Sequence, residues 1–509
     1  MLRAWKDPKV LVGAAVLSLA LVYFYWVAGD ILRTAGDEGI YLEGGRRVAL
    51  GQQPYRDFFA LTGPLTFWTE GVLAYASGMS LLAMRLPLIL DTAFLVWAVF
   101  WFTSRYAGAA YSAATAFAFL VYQSRDRLLY VNHRWDSSAL ATAAIAVALA
   151  AQRTRRRGLW LVSGFLIAAA AWATPSLLIA ALPLLFWSVR RGVRGVLAFA
   201  GGGALATAIA VSYLQWHGAL IPMIQSLHWT GANYTRANLV PYGSVWVGAE
   251  AAGLHIAGWN YLLTTLLVVV PAVLTPAAIA GWAWFWRAGR NRADCQEVLF
   301  LLAAAVALAL AAWPRWTADA LLHTMALSWF LCALLLYRLP APRLRFWCCG
   351  VVLLMSAASV SGKAIAPLNY WPRETRVGTL RDPDTEVDML EGLERWIQPG
   401  ESLFSFPYMP SVYYFLNVRN PSRYSFLQPG MMTPVDEQRA IAELEAAPPR
   451  WVIYEKYPPK AVLSIWPHSD PALLAMTAIN HYLQEHYRPV GTVTGPWAHV
   501  VVMERTPAP

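Results

Sequence analysis

The feature that most limits what this chain can fold into is a succession of apolar stretches. Each is near the ~20 residues a helix needs to cross a hydrocarbon core. They lie at roughly 10–28, 63–77, 86–103, 108–122, 136–151, 159–173, 175–187, 196–214, 258–286, 296–313, 318–338 and 344–361. Backbone inside lipid must satisfy its own hydrogen bonds, so these stretches imply helices. Charged residues make up 14% of the chain, against roughly 25% in soluble proteins. An apolar content of 58% excludes a disordered chain, and four cysteines in 509 residues exclude a disulfide scaffold. The expected fold is mostly α: a polytopic membrane protein of about 11–13 transmembrane helices.

Charge divides the chain in two. Residues 362–509 carry 13 Lys/Arg and 16 Asp/Glu, while residues 1–361 carry 27 and 14. The basic surplus sits in short loops: Arg153 with Arg155–Arg157, then Arg190, Arg191 and Arg194, then Arg287, Arg290 and Arg292, then Arg338, Arg343 and Arg345. That pattern sets membrane topology and does not argue for nucleic acid. With these loops inside, segments 123–135, 215–257 and 362–509 lie outside, and the short N-terminus, with Arg3, Lys6 and Lys9, also reads as inside, which puts 29–62 outside. One conflict follows. Four apolar stretches separate loop 29–62 from Arg153, and an even number cannot change sides. The weakest is 63–77, which is short and carries Thr66, Thr69 and Glu70.

The division is therefore a transmembrane region, 1–361, with 29–62 as its first outer loop, and a soluble domain, 362–509. In the latter, Val387, Leu390, Leu393 and Trp396 have helical spacing over 384–397. Ser402–Phe406 and Trp451–Tyr454 look like short buried strands, and 434–446 like a helix. The alternation predicts a small α/β unit. No repeat of 20–50 residues is visible.

The unusual polar chemistry all falls on the outer side. Asp37 and Glu38 stand side by side just after the first span, and Arg56 and Asp57 follow. Unpaired acids at a membrane boundary are costly, so the first pair calls for a partner, a metal or water. The plainer reading is that Asp37 caps a helix from about Glu38 to Leu50. His133 and Arg134 suit a phosphate, since Arg presents a planar fork of donors; the plainer reading is an interfacial belt with Tyr130 and Trp135. Arg315, Asp319 and His323, spaced i, i+4 and i+8, fall on one helix face, as a functional set or as a brace between helices. Loop 215–257 adds Trp216, His217, His228, Trp229, Tyr234, Arg236, Tyr242 and Trp246, an aromatic surface fit for a membrane boundary or for stacking on sugars. No nucleotide-binding, serine-hydrolase or zinc-protease motif is present.

Together these segments resemble the GT-C glycosyltransferases, in particular the protein O-mannosyltransferases and lipid A aminoarabinose transferases. The likeness rests on Asp37-Glu38 in the first outer loop, on Gly63-Pro64-Leu65 where the family usually has Pro-Pro-Leu, and on Met84-Arg85-Leu86-Pro87. It extends to Phe406-Pro407-Tyr408, Tyr413-Tyr414-Phe415-Leu416 and Arg419-Asn420-Pro421. A lysine common in the family after the sixth span is replaced by Thr174-Pro175-Ser176. The resemblance implies a bacterial inner-membrane enzyme with a periplasmic C-terminal domain. It would move sugar from undecaprenyl phosphate to a lipid, glycan or protein acceptor, with inversion. Asp37, beside Glu38, would act on the acceptor. His133, Arg134, Arg315 and His323 would meet the donor phosphate, and Arg56, Asp57, Tyr234 and Arg236 the acceptor or sugar. Asp37 is also a candidate ligand for Mg²⁺ or Mn²⁺, although no full ligand set is legible. A transporter or flippase of lipid-linked sugars and a non-catalytic envelope assembly factor remain the alternatives.

Overall fold

The computed structural model describes residues 7–32, 36–124, 129–245, 258–288, 294–340, 343, 346, 347, 350, 365–382, 386–456, 458–494 and 499–506. Most of the apolar stretch 344–361, with Cys348 and Cys349, lies outside these residues, as do Arg290, Arg292, Arg345 and Trp246.

The helices follow the apolar stretches in order. They are α1 (Pro8–Phe24), α2 (Glu38–Ala49), α3 (Leu65–Ser77), α4 (Leu81–Met84), α5 (Leu86–Ser104), α6 (Ala109–Gln123), α7 (His133–Thr154) and α8 (Arg157–Ala173). Next come α9 (Ala181–Val189), α10 (Val193–Trp216), α11 (Leu220–Trp229) and the single turn α12 (Thr235–Ala237). Strand β1 (Val240–Ser244) precedes α13 (Gly258–Arg287) and α14 (Cys295–Leu310). Strand β2 (Arg315–Thr317) then leads into α15 (Ala318–Leu322) and α16 (Ala326–Arg338). By length and composition, Pro8–Gly29, Leu81–Ser104, Val193–Trp216 and Val268–Arg287 can each cross a membrane. Shorter apolar helices accompany them at Arg157–Ala173, Pro175–Val189, Cys295–Leu310 and Ala326–Arg338.

Helix α10 shows how the bundle is built. Gly195, Phe199, Gly202, Ala206, Ala210 and Leu214 are buried at helical spacing, whereas Val193, Leu197, Leu205 and Ile209 are exposed apolar residues. One stripe packs on protein and the other is left for lipid, which needs no polar cover. Glycines bring α8 and α10 together. A Cβ on Gly202 would lie 1.9 Å from the Leu161 carbonyl oxygen, and one on Gly164 would lie 1.9 Å from that of Phe199. Both obstacles are backbone, so the helices would have to separate. Gly202→Ala is therefore expected to cost about 1–3 kcal/mol, seen as a lower thermal unfolding midpoint in detergent. An unchanged midpoint would refute this packing.

Helix α3 removes the topological conflict. The Gly63 N–H, just before it, donates to the Ala173 carbonyl at the end of α8 (3.1 Å). The Met79 carbonyl, just after it, accepts from the Tyr414 hydroxyl of the C-terminal domain (2.6 Å). Both ends of α3 thus lie on the side of that domain, and the helix packs along α2. With α3 set aside, three helices, α5 to α7, separate the first loop from Arg153, an odd number, as the charge pattern of the loops requires.

The C-terminal domain contains the hairpin β3 (Trp371–Thr375) and β4 (Gly378–Asp382), then β5 (Leu403–Phe406), β6 (Trp451–Glu455), β7 (Tyr487–Thr494) and β8 (His499–Arg505). The last four form a sheet in the order β5-β6-β8-β7, with β5 and β6 parallel and the other pairs antiparallel. Helices Glu386–Glu394, Pro434–Ala446 and Thr477–His486 accompany it. Thr433 and Asp436 form a reciprocal capping box at the start of the second.

This domain shares its core with the first outer loop. Leu42 and Phe67 belong to the same buried cluster as Val412, Phe415 and Val500. Arg47 donates to the Ser422 carbonyl (3.0 Å), Arg423 to the Tyr55 carbonyl (2.6 Å), and Arg381 to Asp30 (2.8 Å). The approach is close enough that a Cβ on Gly39 would lie 2.2 Å from the Ser411 backbone nitrogen. The domain is fixed on the first outer loop by apolar burial, ion pairing and backbone proximity at once.

Candidate active site

Between the bundle and the C-terminal domain is a cavity of about 550 Å³. Asp37 reaches it from the start of α2. Its position before Glu38 is that of a cap, yet its side chain caps nothing. Instead, its carboxylate accepts a hydrogen bond from the hydroxyl of Tyr408, just beyond β5. The simple capping reading of Asp37 therefore fails, and the residue that orients it lies 371 positions away in the chain.

His133 and Arg134 begin α7. The Asn132 side chain caps this helix by accepting from the Arg134 N–H (2.9 Å), which brings both residues to the cavity wall. His133 Nδ1 lies 2.6 Å from Thr174 Oγ1, and Thr174 in turn donates to Ser137 at 2.8 Å. Thr174 thus holds the histidine in place.

Arg315, Asp319 and His323 all line the cavity, but they do not share a helix. Arg315 belongs to β2, which pairs in parallel with β1 (Val240 opposite Arg315), and the helix begins only at Ala318. Backbone pairing with a distant strand overrides the local i, i+4 pattern. Arg315 Nη1 donates to Asn238 Oδ1 (3.1 Å) and to the Ile465 carbonyl (3.0 Å), so its brace reaches the C-terminal domain. The ring of His323 packs 4.4 Å from that of Trp135, and its buried Nε2 has no hydrogen-bond partner among the described residues.

Other expected residues are placed elsewhere. Glu38 is 1% exposed and is absent from the cavity lining. It forms a two-pronged ion pair with Arg85 (Nη2–Oε2 2.7 Å, Nε–Oε1 2.9 Å) and accepts the Val131 N–H at 3.2 Å. Successive helical residues differ by about 100° in direction, so adjacency to Asp37 in sequence does not give adjacency in the site. Arg56 and Asp57 pair with each other (2.7 Å), and Arg56 also donates to the His217 carbonyl, again away from the cavity lining. Burial alone would raise the Asp57 carboxyl, but hydrogen bonds from Arg56 and from the Gln53 N–H hold it below the ordinary carboxylate range. Tyr234 does line the cavity; Arg236 does not, standing largely exposed 3.6 Å from Asp470.

Among the described residues, no group of three or more His, Cys, Asp or Glu is arranged to hold a metal. The carboxylates on the cavity wall are Asp37 and Asp319. Tyr408 and Gln428 are lining residues that sequence spacing could not reveal, because only the seating of the C-terminal domain brings them there.

No protein-family model and no curated protein matches the sequence. Solved structures do match. ArnT from Cupriavidus metallidurans bound to undecaprenyl phosphate aligns over 97% of both chains with TM-score 0.57 and 13% identity, and its apo state gives 0.58. The apo oligosaccharyltransferase of Archaeoglobus fulgidus covers 95% of this chain and 80% of its own, with TM-score 0.52 and 12% identity. At such identities the likeness is one of fold. Together with the outer-loop motifs and the cavity they surround, it shows that this membrane protein has the GT-C fold.

Proposed function

We propose that the protein is a glycosyltransferase that takes a sugar from a polyprenyl-phosphate donor at the outer face of a bacterial inner membrane. The observation that carries this reading is convergence. Two acids, Asp37 and Asp319, and the cationic or imidazole groups of His133, Arg134, Arg315 and His323 come from separate segments to one cavity. That ArnT, of the same fold, has been solved with undecaprenyl phosphate supports a lipid-phosphate donor. The basic loops, taken as inside, support a periplasmic position for the C-terminal domain.

The chemistry follows from these groups. Asp37 takes the proton of an acceptor hydroxyl, and the acceptor oxygen forms a bond to the anomeric carbon. The bond between that carbon and the phosphate oxygen breaks, leaving its electron pair on the lipid phosphate. Arg134, at the capped N-terminus of α7, and Arg315 take up the developing negative charge. Attack opposite the leaving group inverts the anomeric centre. Asp37 is the residue that would hold a divalent cation, Mg²⁺ or Mn²⁺, which would supply positive charge to the departing phosphate.

The test is incubation of purified protein with a panel of undecaprenyl-phosphate sugars and lipid, glycan and peptide acceptors. Transfer is expected from at least one donor. Arg134→Gln should lower kcat/KM on the order of 10- to 100-fold through loss of a charge-assisted contact, and Arg134→Lys should recover part of it. Failure of every donor, with full activity of Arg134→Gln in the cellular glycan profile, would refute the assignment.

A further inference from the structure

The wall of the cavity is divided by charge. Its ionisable acids and bases, Asp37, His133, Arg134, Arg315, Asp319 and His323, all come from the membrane region. Among the described residues, the C-terminal domain contributes no charged side chain to the lining. It supplies Tyr408, Phe426, Gln428 and Trp466 together with aliphatic residues. A donor phosphate belongs on the ionic side. Whatever lies against the roof meets aromatic faces and one amide.

That amide has an unmet requirement. Gln428 is 2% exposed, and its Oε1 accepts no hydrogen bond among the described residues. Its Nε2 reaches only the neighbouring Pro429 carbonyl, at 3.5 Å, the outer limit of a hydrogen bond. A buried carbonyl without a donor is costly, so the site suits a ligand that brings one. Trp466 is half-buried at the wall, and Phe426 packs edge-on against Tyr408 with ring centroids 5.3 Å apart. Aromatic side chains and an unpartnered amide oxygen on one wall match the two surfaces of a sugar ring, its C–H face and its hydroxyl edge. Tyr408 belongs to this roof and also touches Asp37, so a ring seated there presents a hydroxyl to the base. A phosphorylated acceptor would instead need a cation on the roof.

We propose that the acceptor is a neutral glycan whose sugar ring is held by the C-terminal domain, with Gln428 Oε1 accepting a hydrogen bond from a sugar hydroxyl and Trp466 covering the ring face. This rests on the glycosyltransferase reading above and deepens it. The test uses the full-length protein in lipid nanodiscs and two separate binding measurements. One is titration with undecaprenyl phosphate, and the other is retention on an array of neutral oligosaccharides that also carries phosphorylated lipids and peptides. Wild type is expected to bind both undecaprenyl phosphate and neutral oligosaccharides. Gln428→Leu should weaken the oligosaccharide about fivefold, and Trp466→Ala should do so at least as strongly. Both should keep undecaprenyl phosphate affinity within about twofold, because the donor lies on the ionic side.

If wild type fails to bind undecaprenyl phosphate, the glycosyltransferase reading itself falls. If it binds that lipid but retains only phosphorylated lipids or peptides, the glycan proposal alone falls. It falls equally if both variants bind oligosaccharide as wild type does, or if both lose the two ligands together. Should Gln428→Leu not fold, Trp466→Ala at the half-buried position decides.

Discussion

Asp37→Asn is expected to abolish sugar transfer, with kcat reduced on the order of 10²- to 10⁴-fold. The change is nearly isosteric, and the asparagine carbonyl can still accept from the Tyr408 hydroxyl, so the geometry that holds residue 37 is preserved. What disappears is the ability to take a proton from the acceptor. Affinity for undecaprenyl phosphate should stay within a few fold, because the phosphate is assigned to Arg134, Arg315 and the two histidines. Rate and donor binding must therefore separate. A variant that transfers sugar at the wild-type rate would remove Asp37 from the chemistry, while one that loses donor binding as well would make it a ligand or a structural acid. Tyr408→Phe should give a smaller loss, since it removes only the hydroxyl that orients the carboxylate.

Arg85→Met should be the most destabilising single change, by about 3–5 kcal/mol. Arg85 and Glu38 are both 1% exposed. Besides the ion pair, Arg85 Nη1 donates to the carbonyls of Ala28 (3.0 Å) and Ile31 (2.5 Å). Removing the guanidinium leaves a buried carboxylate without its cation and two backbone carbonyls without their donor. The double variant Glu38→Gln/Arg85→Met should recover part of the loss, since glutamine carries no charge and can still accept the Val131 N–H. Thermal unfolding of the purified protein in detergent measures both effects. A double variant no more stable than Arg85→Met would show that the pair's charge balance is not what stabilises the site. The wider consequence lies in what this pair joins. It ties the end of the first span to α2 and to the segment just before His133, so Glu38 acts on the cavity by positioning Asp37 and α7.

Why some residues were legible and others were not can be argued case by case. Asp37, His133 and Arg134 stood out because polar groups at the edge of apolar spans are costly and must have a use. They do meet in the cavity. Glu38, Arg56 and Asp57 carried the same signal but meet partners of opposite charge, and composition cannot distinguish a charge that faces substrate from one that faces an arginine. Arg315, Asp319 and His323 were correctly grouped for an incorrect reason: the i, i+4 spacing suggested a helix, while β1 captured Arg315 into a strand. Stretch 63–77 has enough apolar residues to resemble a span, and only its contacts at both ends show that it lies along α2 beneath the C-terminal domain.

By itself the sequence determined a mostly helical membrane protein and the approximate positions of its apolar helices and of two buried strands near its end. The hydrocarbon core and the helical and strand periods act on short runs of residues, so those features are local. Tertiary structure alone decided which charges are neutralised and which are left to face a ligand. Electrostatic pairing acts over a few ångströms in space and takes no account of separation along the chain. Tyr408 reaching Asp37, β1 capturing Arg315 and the uncharged roof set over a charged floor all depend on the domain being seated on α2, which no single stretch of residues encodes.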